Sequence, residues 1–172
     1  MRQLSKQRLT IWQLVAICFS LLAFFSVTPQ NLANTNGGRY FLEMYVTDPL
    51  SGSAIDGMDP VSYFTEVEPL QGLPDYEHHW KGVSWFFATE ANRAVFMDAP
   101  EAYVPQFGGY GLAAVSRGYL SNGNPRIYSV YNRRLYLFYS TGNREAFLLE
   151  RAPMVNGAFN NWVALRDQLA RQ

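Results

Sequence analysis

The stretch from Thr89 to Gly111 sets the tightest limits on how this chain can fold. It reads Thr-Glu-Ala-Asn-Arg-Ala-Val-Phe-Met-Asp-Ala-Pro-Glu-Ala-Tyr-Val-Pro-Gln-Phe-Gly-Gly-Tyr-Gly. A helix opens it: the Thr89 hydroxyl is placed to cap the first turn, and Pro100, with no N–H to donate, stops it. A turn-rich corner follows, in which Pro105 fixes one backbone angle and Gly108-Gly109 admit positive φ or a close backbone approach. Phe96, Tyr103, Phe107 and Tyr110 run through both parts, which predicts that helix and corner share one small core.

Local signals extend this into an α+β reading, a small single domain of β-hairpins packed on short helices. Asp59-Pro60 starts a short helix through Phe64, with Asp59 as cap and Pro60 at the first helical position. Val67 to Pro74 is a loop, since it holds two prolines and a glycine. His79 to Phe87 is a tight hairpin turning at or near Lys81-Gly82. A third strand is expected at Leu112 to Val115, and a long turn over Arg117 to Pro125. Arg126 to Val130 and Leu135 to Tyr139 form a second hairpin, with Asn132 able to take positive φ. Ser140 or Thr141 caps a helix through Glu150, and Phe159, Trp162, Val163, Leu165 and Leu169 give the last helix one apolar side. The sequence is read as free of internal repeats.

Leu9 to Val27 carries no formal charge, and a helix of that length reaches about 30 Å, the hydrocarbon thickness of a bilayer. Arg2, Lys6 and Arg8 precede it and favour a cytoplasmic N-terminus, which puts everything after Thr28 across the membrane. The segment is a signal peptide or a signal anchor; Pro29 directly after Thr28 opposes processing and favours the anchor. The expected organisation is a leader at 1–28, a flexible linker at 29–38 and a domain at 39–172, held at the inner membrane with the domain in the periplasm, or free there if the leader is cleaved.

Lys plus Arg and Asp plus Glu number 14 each among 172 residues. Because three of the basic residues sit in the leader, the remainder is net acidic, which excludes a phosphate-neutralising nucleic-acid surface. The one cysteine, Cys18, lies in the apolar leader, so the domain has neither a disulfide nor a cysteine nucleophile or cluster.

Few residues offer chemistry. His78 and His79 are the only histidines, and as strand neighbours they point to opposite faces. Either one with Asp56, Asp59 or Glu77 makes a candidate divalent-metal site; the plainer reading is a strand histidine beside a turn. Met58 and Met97 are candidate thioether ligands for copper, or core filling. Ser62, Ser84 and Ser116 lie in no Gly-x-Ser-x-Gly elbow, and Gly108-Gly109-Tyr110-Gly111 lacks the lysine and spacing of a phosphate loop. Asp56 and Asp59 are acid/base candidates or helix caps, and Arg93 either pairs with Glu90 or Asp59 or binds an anion.

Three ordered segments resemble the secreted branch of the YHS-domain family. Ala54-Ile55-Asp56-Gly57-Met58-Asp59-Pro60-Val61-Ser62-Tyr63-Phe64 is similar to that family's A-(I/L)-x-G-Y-D-P-V-A-Y-F entry. The helix and corner from Thr89 to Tyr110 resemble its E-N-R-x-x-F helix and P-x-x-Y-x-P-Q-(Y/F)-G-G-Y-C-A corner, and Arg134-Leu135-Tyr136-Leu137 resembles its K-L-Y-L-N-Y strand. The resemblance covers about residues 54 to 170. It implies a metal-handling role through the cysteine after Gly-Gly-Tyr, but Gly111 stands at that position here.

The function expected from these residues is a non-enzymatic, membrane-tethered binding domain. It holds a protein partner or small ligand at Asp56, Asp59, Arg93, Tyr103, Phe107 and Tyr110, with no obligatory cofactor. The alternative is a copper- or zinc-handling domain using His78 or His79; a hydrolase or redox enzyme ranks last.

Overall fold

The structure, a computed structural model, describes residues 44–171. The leader, the linker and the first residues of the domain lie outside the described residues. Among the described residues no helix is long and apolar enough to cross a membrane.

The architecture is α+β, with two separate two-stranded antiparallel sheets. After a 3-10 turn at Ile55–Gly57 come α1 (Ser62–Thr65), β1 (Leu73–Trp80), β2 (Val83–Phe87), α2 (Glu90–Asp98) and α3 (Pro100–Tyr103). A second 3-10 turn at Gln106–Gly109 leads into α4 (Leu112–Ser116), β3 (Asn124–Tyr131), β4 (Arg134–Phe138), α5 (Thr141–Leu149) and the long α6 (Arg151–Leu169).

This order is one unit used twice, which corrects the reading of a repeat-free sequence. β1 and β3 have 8 residues each, β2 and β4 have 5, and α2 and α5 have 9. Each 3-10 turn contains three successive left-handed residues, Ile55, Asp56 and Gly57 in the first and Phe107, Gly108 and Gly109 in the second. The bridges Met58↔Gln71 and Ser53↔Ser84 recur as Tyr110↔Asn122 and Pro105↔Leu135. The Gly72 N–H donates to the Gly57 carbonyl at 2.9 Å, as Gly123 does to Gly109 at 3.0 Å. Each helix is capped alike: Thr89 accepts from the Asn92 N–H, and Ser140 from the Asn143 N–H. The sequence trace of this duplication is Thr89-x-x-Asn92-Arg93-x-x-Phe96 against Ser140-x-x-Asn143-Arg144-x-x-Phe147.

Both hairpin turns fall where the turn chemistry put them. Lys81 and Gly82 have φ of 50° and 81°, Asn132 and Arg133 have 50° and 58°, and two left-handed residues in succession match the right-handed strand twist. Other expectations shift. β1 starts at Leu73, inside the expected loop, with a register irregularity between Leu73 and Glu77. Helix α1 starts at Ser62 rather than at Pro60. The expected strand at Leu112 to Val115 is helix α4. A short apolar run fits either conformation, and here α4 is buried against α6, which fixes the helix. The buried side of α6 is Val155, Ala158, Leu165 and Leu169, with Trp162 packed against the same cluster; Phe159 and Val163 turn outward, at 44% and 57% exposed.

There are two cores rather than one. The first gathers Ile55, Met58, Val61, Trp85, Phe87, Phe96 and Val104; the second gathers Phe107, Leu112, Val115, Phe147 and the buried side of α6. Strand β4 belongs to both: Leu135 and Leu137 pack into the first, Tyr136 and Phe138 into the second. The Tyr63 hydroxyl also crosses between repeats, donating to the Pro125 carbonyl at 2.8 Å.

The left-handed turns carry unequal loads. The Gly108 carbonyl accepts from Val46 at 2.8 Å, and a Cβ on Gly108 would stand 1.7 Å from the Met44 carbonyl oxygen. Asp56, its counterpart, is exposed. Gly108→Ala is therefore expected to cost about 3 kcal/mol or more, because backbone must move. Asp56→Ala should cost about 1–2 kcal/mol, the ordinary penalty of a left-handed alanine. Urea denaturation of both variants checks this; equal midpoints would refute it.

Candidate functional site

Asp59 is fully buried, with 0% exposure. Its Oδ1 accepts from the Val61 N–H at 2.8 Å and the Ser62 N–H at 3.3 Å. These bonds hold the turn that leads into α1, whose N-cap position is Val61 with no side-chain cap, so Asp59 stands ahead of the cap position expected for it. Its Oδ2 reaches across the fold, accepting from the Ala88 N–H at 2.9 Å and the Asn92 amide at 2.6 Å. Four N–H groups thus replace hydration around a buried carboxylate, and the α1 start is tied to the β2–α2 junction. Next to it the Ser62 hydroxyl donates to the Asp59 carbonyl at 2.6 Å and accepts from the Leu70 N–H at 2.8 Å. These groups are spent on architecture. In the second repeat Gly111 occupies the place of Asp59: its N–H donates to Ser121, as that of Asp59 does to Leu70.

The remaining candidates are dispersed. His78 faces the Phe96 ring at 6.2 Å, whereas His79 is exposed with Nδ1 3.5 Å from the Ser84 hydroxyl. Met58 is buried in the first core and Met97 is exposed. Among the described residues no three His, Cys, Asp or Glu side chains are grouped to hold a metal ion. The aromatic corner faces largely inward. Phe107 is 5% exposed and meets the rings of Phe159 at 5.0 Å and Trp162 at 5.5 Å. Tyr110 lies 6.2 Å from Trp162, and Tyr103 stands edge-on to Phe64 at 5.5 Å. The corner's nearest partner is thus the chain's own α6. Burial raises the proton affinity of the Tyr45, Tyr63 and Tyr136 hydroxyls.

Arg93 and its counterpart Arg144 differ in an informative way. Arg93 donates to the Glu77 carbonyl at 3.4 Å and to the Glu90 carboxylate at 2.8 Å, while its buried Nε has no partner. Arg144 donates through Nε to the Tyr128 carbonyl at 2.8 Å, the carbonyl equivalent to that of Glu77. But Thr141 replaces Glu90, so the carboxylate one helical turn back is missing. The acidic group nearest to Arg144 is Glu145, 3.7 Å from Nη1 and mostly exposed.

Beside this arginine opens a cavity of about 450 Å³ lined by Val67, Glu68, Pro69, Arg126, Ile127, Tyr128, Thr141 and Arg144. It lies where the loop after α1 of the first repeat meets β3 and α5 of the second. The guanidinium of Arg126 has no hydrogen-bond or salt-bridge partner among the described residues, and the equivalent first-repeat position is Asp75. Sequence reading passed over Arg126, Thr141 and Arg144. The recurrence of Asn-Arg-x-x-Phe is the sequence signal for Arg144 and, beside it, Thr141; Arg126 has none.

A folded two-repeat α+β module with a basic cavity between its repeats is the class these observations define. Comparison with protein-family models, with curated proteins and with solved structures finds no match to this chain.

Asp59→Asn keeps the shape but turns one acceptor into a donor facing either the Val61 and Ser62 N–H groups or the Ala88 N–H and the Asn92 amide. A loss of about 2–3 kcal/mol is expected, and a similar or larger one for Asp59→Ala. Denaturant midpoints measure it, and a change within about 0.5 kcal/mol for Asp59→Asn would show that the carboxylate is not the pin described.

Proposed function

We propose that this chain is a membrane-tethered, extracytoplasmic, YHS-like binding module that holds a ligand without transforming it. The observation that carries the reading is where the polar side chains go. Asp59, Ser62, Thr89, Asn92 and Ser140 are consumed by internal hydrogen bonds, whereas Arg126 and Arg144 line a cavity with donors to spare. A catalytic group must touch its substrate with a proton or electron pair free to move. Guanidinium groups stay protonated and provide recognition and orientation.

The resemblance to the secreted YHS branch agrees with this reading in one respect. The Asp59-Pro60 entry, the Asn92-Arg93 helix and the Gly108-Gly109 corner each perform a scaffold task, so the motifs specify a shape that different ligands can exploit. The apolar run from Leu9 to Val27 would hold the module at the inner membrane, with the domain in the periplasm.

Native mass spectrometry of the full chain released from its own membrane tests the proposal. The expected result is a retained small molecule or partner that leaves chemically unaltered. Multiple-turnover conversion of the released species, or a chain that retains nothing and yields no crosslink in the membrane, would overturn it.

A further inference from the structure

We propose that the cavity between the repeats binds a small monocarboxylate, whose carboxylate takes the place that the Glu90 side chain fills in the first repeat. The inference rests on the binding reading above and names its ligand class and site.

The duplication supplies an internal control. In the first repeat the arginine of Asn-Arg-x-x-Phe is neutralised by a carboxylate from its own helix, Glu90 to Arg93 at 2.8 Å. The second repeat keeps the arginine, its helix cap and its bond to a β3 carbonyl. It has lost that carboxylate, because Thr141 is too short and carries no charge; the acidic group left to it is the mostly exposed Glu145, at 3.7 Å against 2.8 Å in the first repeat. At the same place Arg126 stands where the first repeat has Asp75, so an acidic position has become basic. Both arginines and Thr141 line the same cavity of about 450 Å³, room for a small organic molecule.

The remaining lining sets the rest of the ligand. Pro69, Ile127 and Tyr128 complete the lining, while Val67 is 97% exposed. Glu68 puts one negative charge on the opposing loop. A phosphate monoester, with a charge of about −1.5 to −2, meets more repulsion from Glu68 than a monocarboxylate does. Carboxylates also match the planar fork of a guanidinium. A small molecule with one carboxylate and a short apolar tail therefore matches the two arginines and the single opposing charge.

Calorimetric titration of the full chain in lipid nanodiscs at low salt tests this, with hexanoate and benzoate as probes and hexanol, hexylamine and inorganic phosphate as controls. The carboxylates are expected to bind at least about tenfold more tightly than the controls. Arg126→Ala should weaken hexanoate at least about tenfold without moving Tm, since that guanidinium makes no internal bond. Thr141→Glu should weaken it similarly while raising Tm by about 1–3 °C, because it rebuilds the first repeat's ion pair at a helix N-terminus. Glu68→Gln should tighten hexanoate by about two- to threefold. Equal affinity for hexanol and hexanoate, or hexanoate binding unchanged in both Arg126→Ala and Thr141→Glu, overturns the proposal. No carboxylate binding by a chain that still retains some other species from its membrane also overturns it, and leaves the broader binding reading standing.

Discussion

The structure depends on β4 being buried on both faces. A strand's side chains alternate, so one register sends Leu135 and Leu137 into one core and Tyr136 and Phe138 into the other. A slip by one residue would exchange the two sets and spoil both cores together. Each sheet has only two strands, an arrangement that is marginal in water until something packs on it. Neither hairpin is therefore an independent unit. The second hairpin completes the core of the first repeat, and α6 completes the core of the second.

That coupling explains which features the two repeats share and which they do not. Caps, left-handed turns and the buried Phe96 and Phe147 recur because each is demanded by backbone geometry or by a core. Gly72 and Gly123 recur for a steric reason: a Cβ on either would stand 2.5 Å from Phe86 or Leu137, on the adjacent strand. The charged positions are under no such demand, and they diverge. Asp59 corresponds to Gly111, Asp75 to Arg126, and Glu90 to Thr141. The first repeat binds its polar groups to itself; the second leaves two arginines facing a space.

What could be read in the sequence was local chemistry. Thr89 and Ser140 as caps, Pro100 as a stop, and Asn132 and Gly82 in left-handed turns each follow from a residue and its immediate neighbours. What could not be read was decided at a distance. Leu112 to Val115 is helical because α6 lies over it, and the apolar run itself carries no period that says so. The Asp-Pro pair marks the approach to α1, though Val61 rather than Asp59 takes the cap position, and the bonds of Asp59 to Ala88 and Asn92 close over a separation that spacing does not encode. The repeat escaped notice for a related reason: it is preserved in dihedral angles and hydrogen bonds while side chains as different as Met58 and Tyr110 occupy the same position.

The same logic explains why the candidate site sits in the second repeat and not in the first. A guanidinium facing a cavity gains little from an exposed internal pair, since such pairs contribute about 0–1 kcal/mol and cost side-chain freedom. Substituting threonine for glutamate at that position therefore sacrifices little stability. It does change what the arginine can do, because a charge met within the chain only by the long, mostly exposed contact to Glu145 can be answered from outside it. Arg144 remains anchored through Nε to the Tyr128 carbonyl, so its free end is held in place before any ligand arrives. Preorganisation of that kind lowers the ordering cost of binding. A scaffold whose rigidity comes from Asp59 in one repeat and from β4 in both can thus vary its charges nearby without loosening the fold.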